Sequence, residues 1–360
     1  MKCDVFPLVT VITVCFNQVK QQRAQAFRKC LKSVHSQDYP VLEHLVIDGG
    51  SADGTADMLA RYAALGWIRY ISEPDKGIYD AMNKGIRQAR GKYVAFLNSD
   101  DFWHRRDAVS ASVAALEKSN AAFSYASRTI VHENGAFYCT ESACLGVFPG
   151  LMPFCHQTMF TRRDVLLRYG GFDFPRYRSA ADYDLIFRLL LKGERGVYVP
   201  INFTTFRLGG FSVENEDLSL LECHQIRTRL LGKRAARMLE QGKMDENLML
   251  RLQETVHPRV ALDIQRSYAL HDGDLYCMRQ GLVRQFARQE KIVVFPPCIK
   301  RSVRYYIFQC VPILSCKLRP SRKDWFLFQF LPLLRERIRG NVVKYYLFFL
   351  LPVLSRRVQA

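Results

Sequence analysis

Lys92–Asp101 reads Lys-Tyr-Val-Ala-Phe-Leu-Asn-Ser-Asp-Asp, and no other ten residues narrow the fold as much. Tyr93–Leu97 is a continuous apolar run without helical spacing, ended by Asn98, which predicts a short buried strand. The chain then turns polar at once and sets Asp100 beside Asp101. In an open α/β sheet, ligands sit beyond the carboxyl ends of the strands. Two adjacent carboxylates there repel each other and lose hydration unless a cation compensates them. Hard oxygen donors suit Mg2+ or Mn2+, usually shared with a substrate's phosphates. A second reading stays open here: Asp101 as the cap of a helix that starts near Arg106.

The preceding residues supply the rest of such a sheet. Leu8–Cys15 is rich in β-branched residues and ends at Phe16-Asn17, a first core strand. Gln21–Gln37 carries Phe27, Leu31 and Val34 at helical spacing, and Tyr39-Pro40 stops it. Glu43–Asp48 is a second strand, followed by a helix through Leu65, a strand at Trp67–Ser72 and a helix over Gly77–Arg90. This alternation argues for a doubly wound, mainly parallel sheet. The loop Asp48–Thr55 is no dinucleotide fingerprint, because it follows the second strand and lacks Gly-x-Gly-x-x-Gly. Asp48, at a strand end beside a flexible turn, suits hydrogen bonding to a base or ribose, and Asp53 suits a helix cap.

Composition excludes several classes. Met1–Pro7 has no apolar core of a secretory signal, and no run of about 18 apolar residues exists for a conventional spanning helix. The eleven cysteines include no Cys-x-x-Cys pair, and Cys15, Cys155 and Cys310 sit inside apolar runs. That pattern predicts a reduced, cytosolic protein without a zinc site.

Four motifs recur in a familiar order: Val11–Asn17; Val46–Thr55; Ser72-Glu-Pro-Asp-Lys-Gly-Ile-Tyr-Asp-Ala-Met-Asn-Lys-Gly85; and Phe96–Asp101. Together they resemble the family-2 glycosyltransferases, in particular the bacterial enzymes of capsule, colanic-acid and O-antigen assembly, over roughly residues 8–210. The resemblance implies a GT-A fold, α/β with a Rossmann-like, mainly parallel sheet flanked by helices, and a nucleotide-diphosphate sugar as donor. It implies that Thr13 and Asn17 line the nucleotide pocket, that Asp48 faces the base, that Asp100 meets the ribose and that Asp101 holds Mn2+ or Mg2+ on the diphosphate. Many relatives carry a third acid where this chain has Asn98.

Lys76, ahead of a helix start, is a candidate for the pyrophosphate as a point charge. Asp80 and Asn83 on that helix are candidates for fixing the loop. Ala121–Thr129 and Ile130–Tyr138 predict a hairpin around His132–Gly135. Gly170-Gly171-Phe172-Asp173 is another piece familiar from the family and ends a short helix. His156, in Pro153–Phe160, is a candidate acceptor-site or phosphate contact; a bonded core histidine is the plainer alternative. Ala180–Gly193 is an amphipathic helix that opens with Asp182 and Asp184. Acids suit a helix start on charge alone. The resemblance adds that Asp182, or else Asp184, stands where relatives place their catalytic base, although Ala181 replaces the usual Glu.

Residues 213–290 read as a helical region, with helices over Glu216–Gly242 and Glu246–Arg259. Residues 291–360 hold fourteen Lys and Arg against two acids, a charge of +12 out of +18 for the chain. Within this tail three blocks repeat, Tyr305–Leu314, Trp325–Leu334 and Tyr345–Leu354, with Pro312, Pro332 and Pro352 at matching places. Aromatic blocks framed by cations suit an anionic membrane surface better than nucleic acid, whose partners interleave aromatics with Arg or Lys singly. A helical repeat packed on the body or on another subunit is the alternative.

The expected protein is therefore a GT-A domain at 1–212 with a helical, basic C-terminal extension. Its expected activity is inverting, metal-dependent sugar transfer to a polyprenyl-diphosphate-linked glycan at the cytoplasmic membrane face. A sugar-phosphate nucleotidyltransferase is the rival enzyme, disfavoured because Phe16-Asn17-Gln18 is no Gly-rich phosphate loop. A non-catalytic membrane scaffold is the rival outside enzymes.

Overall fold

The computed structural model describes residues 6–141, 143–145, 148, 152–210 and 215–240, and six strand segments between 302 and 357. The chain divides into two compact units, Met1–Val293 and Val294–Ala360.

In the first unit β1 (Val9–Cys15), β2 (Leu42–Asp48), β3 (Arg69–Ser72) and β4 (Tyr93–Phe96) alternate with α1 (Ala24–His35), α2 (Thr55–Ala64) and α3 (Ile78–Gln88). The four strands lie parallel in the order β3-β2-β1-β4. The chain moves outward from β1 to β3 and then crosses back to lay β4 on the far side of β1. The carboxyl ends of β1 and β4 therefore flank a topological switch point, where open α/β sheets bind ligands.

Alternation along β1 divides the core. Ile12 and Val14 join Met82 and Ile86 of α3 in one buried cluster, whereas Val9 and Val11 join Cys30 and Val34 of α1 in another. A Cβ on Gly85 would lie 2.6 Å from Ile12 Cγ2, so glycine lets α3 approach β1. All four residues of β4 are buried; full burial of a Val or Phe side chain stabilises by roughly 1.5–3 kcal/mol.

Beyond β4 the sheet becomes mixed. It continues through β5 (Phe102–Trp103), β6 (Phe123–Val131), β8 (Phe160–Arg162) and β9 (Gly196–Arg207) in the order β4-β8-β6-β9-β5, with β7 (Phe137–Glu141) paired to β6. β8 runs antiparallel to β4 and β6, while β9 is parallel to β6. Parallel pairing thus dominates the first half of the sheet. The expected hairpin is β6–β7, but its turn extends to Ala136, whose carbonyl accepts from His132 N–H, so the second strand begins at Phe137.

Helices α4 (Ala108–Ser119), α5 (Arg163–Arg168), α6 (Ala181–Leu191), α7 (Glu216–Leu231) and α8 (Lys233–Glu240) complete the described part of this unit. Asp107 precedes α4, so Asp101 does not cap it. The helix expected over Glu216–Gly242 is broken by Gly232, at φ 89° in the left-handed region. The helix expected over Glu246–Arg259 lies outside the described residues. Among the described residues no helix is long and apolar enough to cross a membrane.

The second unit is a six-stranded antiparallel meander: β10 (Ser302–Ile307), β11 (Val311–Arg319), β12 (Arg322–Leu327), β13 (Leu331–Arg339), β14 (Val342–Leu347) and β15 (Leu351–Arg357). The extension is therefore helical in α7 and α8 and built of strands in the tail. Each sequence repeat is one hairpin. The register slips at the same place in all three, where Pro312, Pro332 and Pro352 pair with Tyr306, Phe326 and Tyr346. Proline cannot donate to a ladder, and a bulge accommodates it.

Candidate active site

Asp48 ends β2 opposite Cys15, the last residue of β1. It is fully buried, and its carboxylate accepts from Ser51 N–H at 3.0 Å, Ser51 Oγ at 2.5 Å and Ser72 Oγ at 2.7 Å. Gly50, at φ 79°, bends the loop back far enough for this turn. Asn17 donates its N–H to Ser51 Oγ at 2.7 Å, and Gln18 donates its own to Thr55 Oγ1 at 2.9 Å. The loops after β1 and β2 are thereby laced together. Asp53 accepts from Thr55 N–H at the start of α2 and from Lys20 N–H. Thr13 is placed elsewhere. It is completely buried with its hydroxyl 2.9 Å from His44 Nε2, so its side chain belongs to the core and does not line a pocket as expected.

Asp100 and Asp101, in the turn beyond β4, meet different partners. The Asp100 side chain is 17% exposed and lies 3.9 Å from the Arg23 guanidinium. Burial holds its carboxyl above the ordinary value, with Arg23 opposing. Asp101 is 1% exposed. Its Oδ1 accepts from Arg207 N–H and its Oδ2 from Gln157 Nε2, both at 2.6 Å. Burial, and then the charge of Asp100, push Asp101 well above the usual carboxylate range.

The donors available to a cation follow from this. Each oxygen of Asp101 already accepts one hydrogen bond and its side chain is buried, so Asp101 is less open to a cation than Asp100. The Asp100 carboxylate does fit, and Asn98 Oδ1 is a buried acceptor without a hydrogen-bond partner. Among the described residues no cluster of three or more His, Cys, Asp and Glu side chains could enclose a metal. A cation held by one carboxylate would take its remaining ligands from phosphate and water, as Mg2+ commonly does.

The start of α6 forms the other half. Asp182 Oδ1 accepts from Tyr79 OH at 3.0 Å and from Tyr183 N–H at 2.9 Å, while Oδ2 lies 2.8 Å from His156 Nδ1. Burial alone would raise its carboxyl, but the hydrogen bonds from His156 and Tyr79 outweigh it and hold Asp182 below the ordinary value. Asp184 is different. It is fully buried and paired with Arg188 at 2.7 Å and with Arg229 of α7, so it anchors the helix. Burial raises the Asp184 carboxyl, and Arg188 and Arg229 oppose that. Glu222 of α7 accepts the N–H groups of Arg178, Ser179 and Ala180 at 2.8 Å each, fixing the segment that leads into α6.

One turn of 3-10 helix, His156–Thr158, joins the two halves. Gln157 is completely buried; its Nε2 donates to Asp101, and its Oε1 accepts from Asn98 N–H at 2.8 Å. The adjacent His156 binds Asp182. Asp100, Asp101, His156 and Asp182 are thus brought together through Gln157.

Lys76 is not brought in. It is exposed at the start of α3, where its N–H donates to Asp80, and it shares no hydrogen bond with these acids. Asn83 clamps the Gly-Gly-Phe-Asp turn, its Nδ2 and Oδ1 both bonded to the Phe172 backbone at 2.9 Å. Sequence reasoning missed Gln157, Tyr79 and Glu222. Gln157 adjoins a candidate and Tyr79 lies inside a recognised motif, whereas Glu222 carried no local signal.

The family described as "Glycosyl transferase family 2" matches residues 10–172. An uncharacterized glycosyltransferase of Mycobacterium tuberculosis is 33% identical over 198 residues, covering 51% of this chain and 70% of its own. A PGL/p-HBAD biosynthesis glycosyltransferase of Mycobacterium bovis is 31% identical over 161 residues, covering 44% of this chain and 62% of its own. Among solved structures, the mannosyltransferase PcManGT from Pyrobaculum calidifontis superposes with a TM-score of 0.47 at 19% identity, over 80% of this chain and 89% of that one.

Proposed function

The chain belongs to the family 2 glycosyl transferases, and from that membership we propose inverting transfer of a sugar from a nucleotide-diphosphate sugar to a hydroxyl of a surface-glycan acceptor. The observation that carries this is the Gln157 bridge: one buried amide ties the acids at the switch point to the hydrogen-bonded pair at the start of α6.

The donor's nucleoside would rest against the laced loops after β1 and β2, beside Asn17, with Asp48 holding Ser51 and Ser72 in place beneath them. Asp100 and Asn98 are the residues that would hold a Mn2+ or Mg2+ ion. The chemistry such an ion would supply there is neutralisation of the charge on the departing nucleoside diphosphate. Asp101 acts behind Asp100 by holding Gln157 and the Arg207 backbone in place.

Across the site, the His156–Asp182 pair takes the proton of the acceptor hydroxyl as that oxygen attacks the anomeric carbon. General-base help of this kind is worth about 10²–10⁴-fold. With one base, and no second carboxylate placed as a nucleophile among the described residues, the reaction is a single displacement, which inverts the anomeric centre.

The tail is the part suited to a lipid-borne acceptor. Its +12 charge would hold the protein on an anionic bilayer at about 1 kcal/mol per surface-near cation, less at high salt. This favours a polyprenyl-diphosphate-linked glycan at the cytoplasmic membrane face.

The test is a panel of UDP- and GDP-sugars with membrane lipid extract as acceptor, reading nucleoside-diphosphate release with Mn2+ and with EDTA, and the anomeric configuration of the product. Release that requires Mn2+ and yields an inverted linkage supports the proposal. Retention of configuration, or turnover indifferent to EDTA, would overturn it.

A further inference from the structure

We propose that within the His156–Asp182 pair the atom that takes the acceptor's proton is Nε2 of His156, and that Asp182 is a positioning residue behind it. The inference rests on the transfer reading above and names its base.

The hydrogen bonds decide between the two side chains. Asp182 is surrounded by donors: Tyr79 OH and Tyr183 N–H on Oδ1, His156 Nδ1 on Oδ2. A carboxylate so supplied is kept ionised and is a weak base, in line with its lowered pKa. An ionised carboxylate cannot donate, so the proton of the 2.8 Å bond belongs to His156 Nδ1. In the neutral imidazole that leaves Nε2 as the nitrogen with the free lone pair.

Nε2 of His156 is buried and has no hydrogen-bond partner in the protein. Buried polar atoms are nearly always paired, so an unpaired nitrogen beside the site is free to take a proton from a reactant. The pair is not sealed: the His156 and Asp182 side chains are 14% and 18% exposed. A carboxylate that orients a histidine and steadies its imidazolium is the arrangement of the serine-hydrolase triad, here without the serine.

The step balances without any further reagent. A lone pair of the acceptor oxygen forms the bond to the anomeric carbon. The bond from that carbon to the diphosphate oxygen breaks, and its electrons leave with the nucleoside diphosphate. The hydroxyl proton passes to Nε2, giving an imidazolium paired with Asp182, and is later lost to water.

Gln157 places this base relative to the donor. It follows His156 directly and holds Asp101 and Asn98 N–H, so the imidazole and the acid pair move as one body.

The test compares His156→Ala and His156→Gln with the unaltered chain, using the sugar nucleotide chosen by the donor panel. Binding of the matching nucleoside diphosphate with Mn2+ serves as the check on folding. Loss of a general base predicts kcat lower by about 10²–10⁴-fold. Donor KM and nucleotide affinity should stay within about threefold, and added imidazole should restore part of kcat in His156→Ala and none in His156→Gln. Either variant keeping kcat within about threefold would overturn the assignment, as would a His156→Ala loss that imidazole does not reverse. An unaltered chain that turns over no donor would instead remove the transfer reading, and this inference with it.

Discussion

Asp100 and Asp101, in the turn beyond β4, meet different partners, and so do Asp182 and Asp184 in the first turn of α6. In each pair one acid is partly open while the other is an anchor. The anchors differ in kind. Asp184 is met by two guanidinium groups, of Arg188 and Arg229. Asp101 is met by a side-chain amide and a backbone N–H, which bring hydrogen bonds but no full positive charge. The pair at α6 is therefore neutralised within the protein. At β4 the Arg23 guanidinium lies 3.9 Å from Asp100, and the charges of Arg207 and Arg128 also act on the pair. The difference teaches that two guanidinium groups fix the anchor at α6, whereas an amide and a backbone N–H fix the anchor at β4 and leave Asp100 the more open acid.

Four measurements break or sharpen that contrast, in descending order of expected effect. Asp100→Ala should lower Mn2+-dependent nucleoside-diphosphate release by about 10³-fold, the size of losing one strong electrostatic contact in a reaction site. EDTA should then cause no further loss; full activity in this variant would place the cation elsewhere. Asp184→Ala removes the buried carboxylate between Arg188 and Arg229, leaving Arg229 on Asp173 and Arg188 on the Tyr169 and Gly171 carbonyls, and breaking a buried pair costs up to about 3–5 kcal/mol. Denaturant unfolding should show that loss, while kcat per folded molecule should stay within about threefold.

Gln157→Ala leaves Asp101 Oδ2 and Asn98 N–H without their partner, at about 1–3 kcal/mol. Because this residue joins both regions, its loss should lower stability and kcat together, and a change in one alone would show the bridge to be dispensable. The smallest effect is in pH. Asp182 is held below its ordinary carboxyl value, so the stability it contributes is present above that value and is lost as pH falls through its folded value. Asp182→Asn should flatten that acid limb in unfolding measured between about pH 5 and pH 2, and an unchanged limb would show that its hydrogen bonds do not favour the charged form.

Much of the first region was legible because its signals are local. Strands β1, β2 and β4 are apolar runs of the right length, and Gly50 and Asp53 mark the turn that Asp48 closes. Thr13 was misread because alternation along β1 sends it inward, toward His44 on β2. How deeply Asp101 sits was not legible, because its partners are Gln157 and Arg207, the last residue of β9, both far along the chain. In the second region the acids of α6 stood out, but their division of labour did not. Arg229 and Glu222 come from α7, and nothing near them in sequence points to α6. The tail repeats were visible as a period, yet their state as hairpins was not, since blocks of ten apolar residues carry no clear strand or helix spacing.

What the sequence determined by itself is the α/β alternation, the family and the set of acids at the site. These depend on apolar periodicity, turn residues and motif order, all of which are written along the chain. What only the tertiary structure decided is which acid of each pair is free, and that a histidine stands against Asp182. A carboxylate's role depends on which donors and charges surround it, and here those come from residues dozens of positions away.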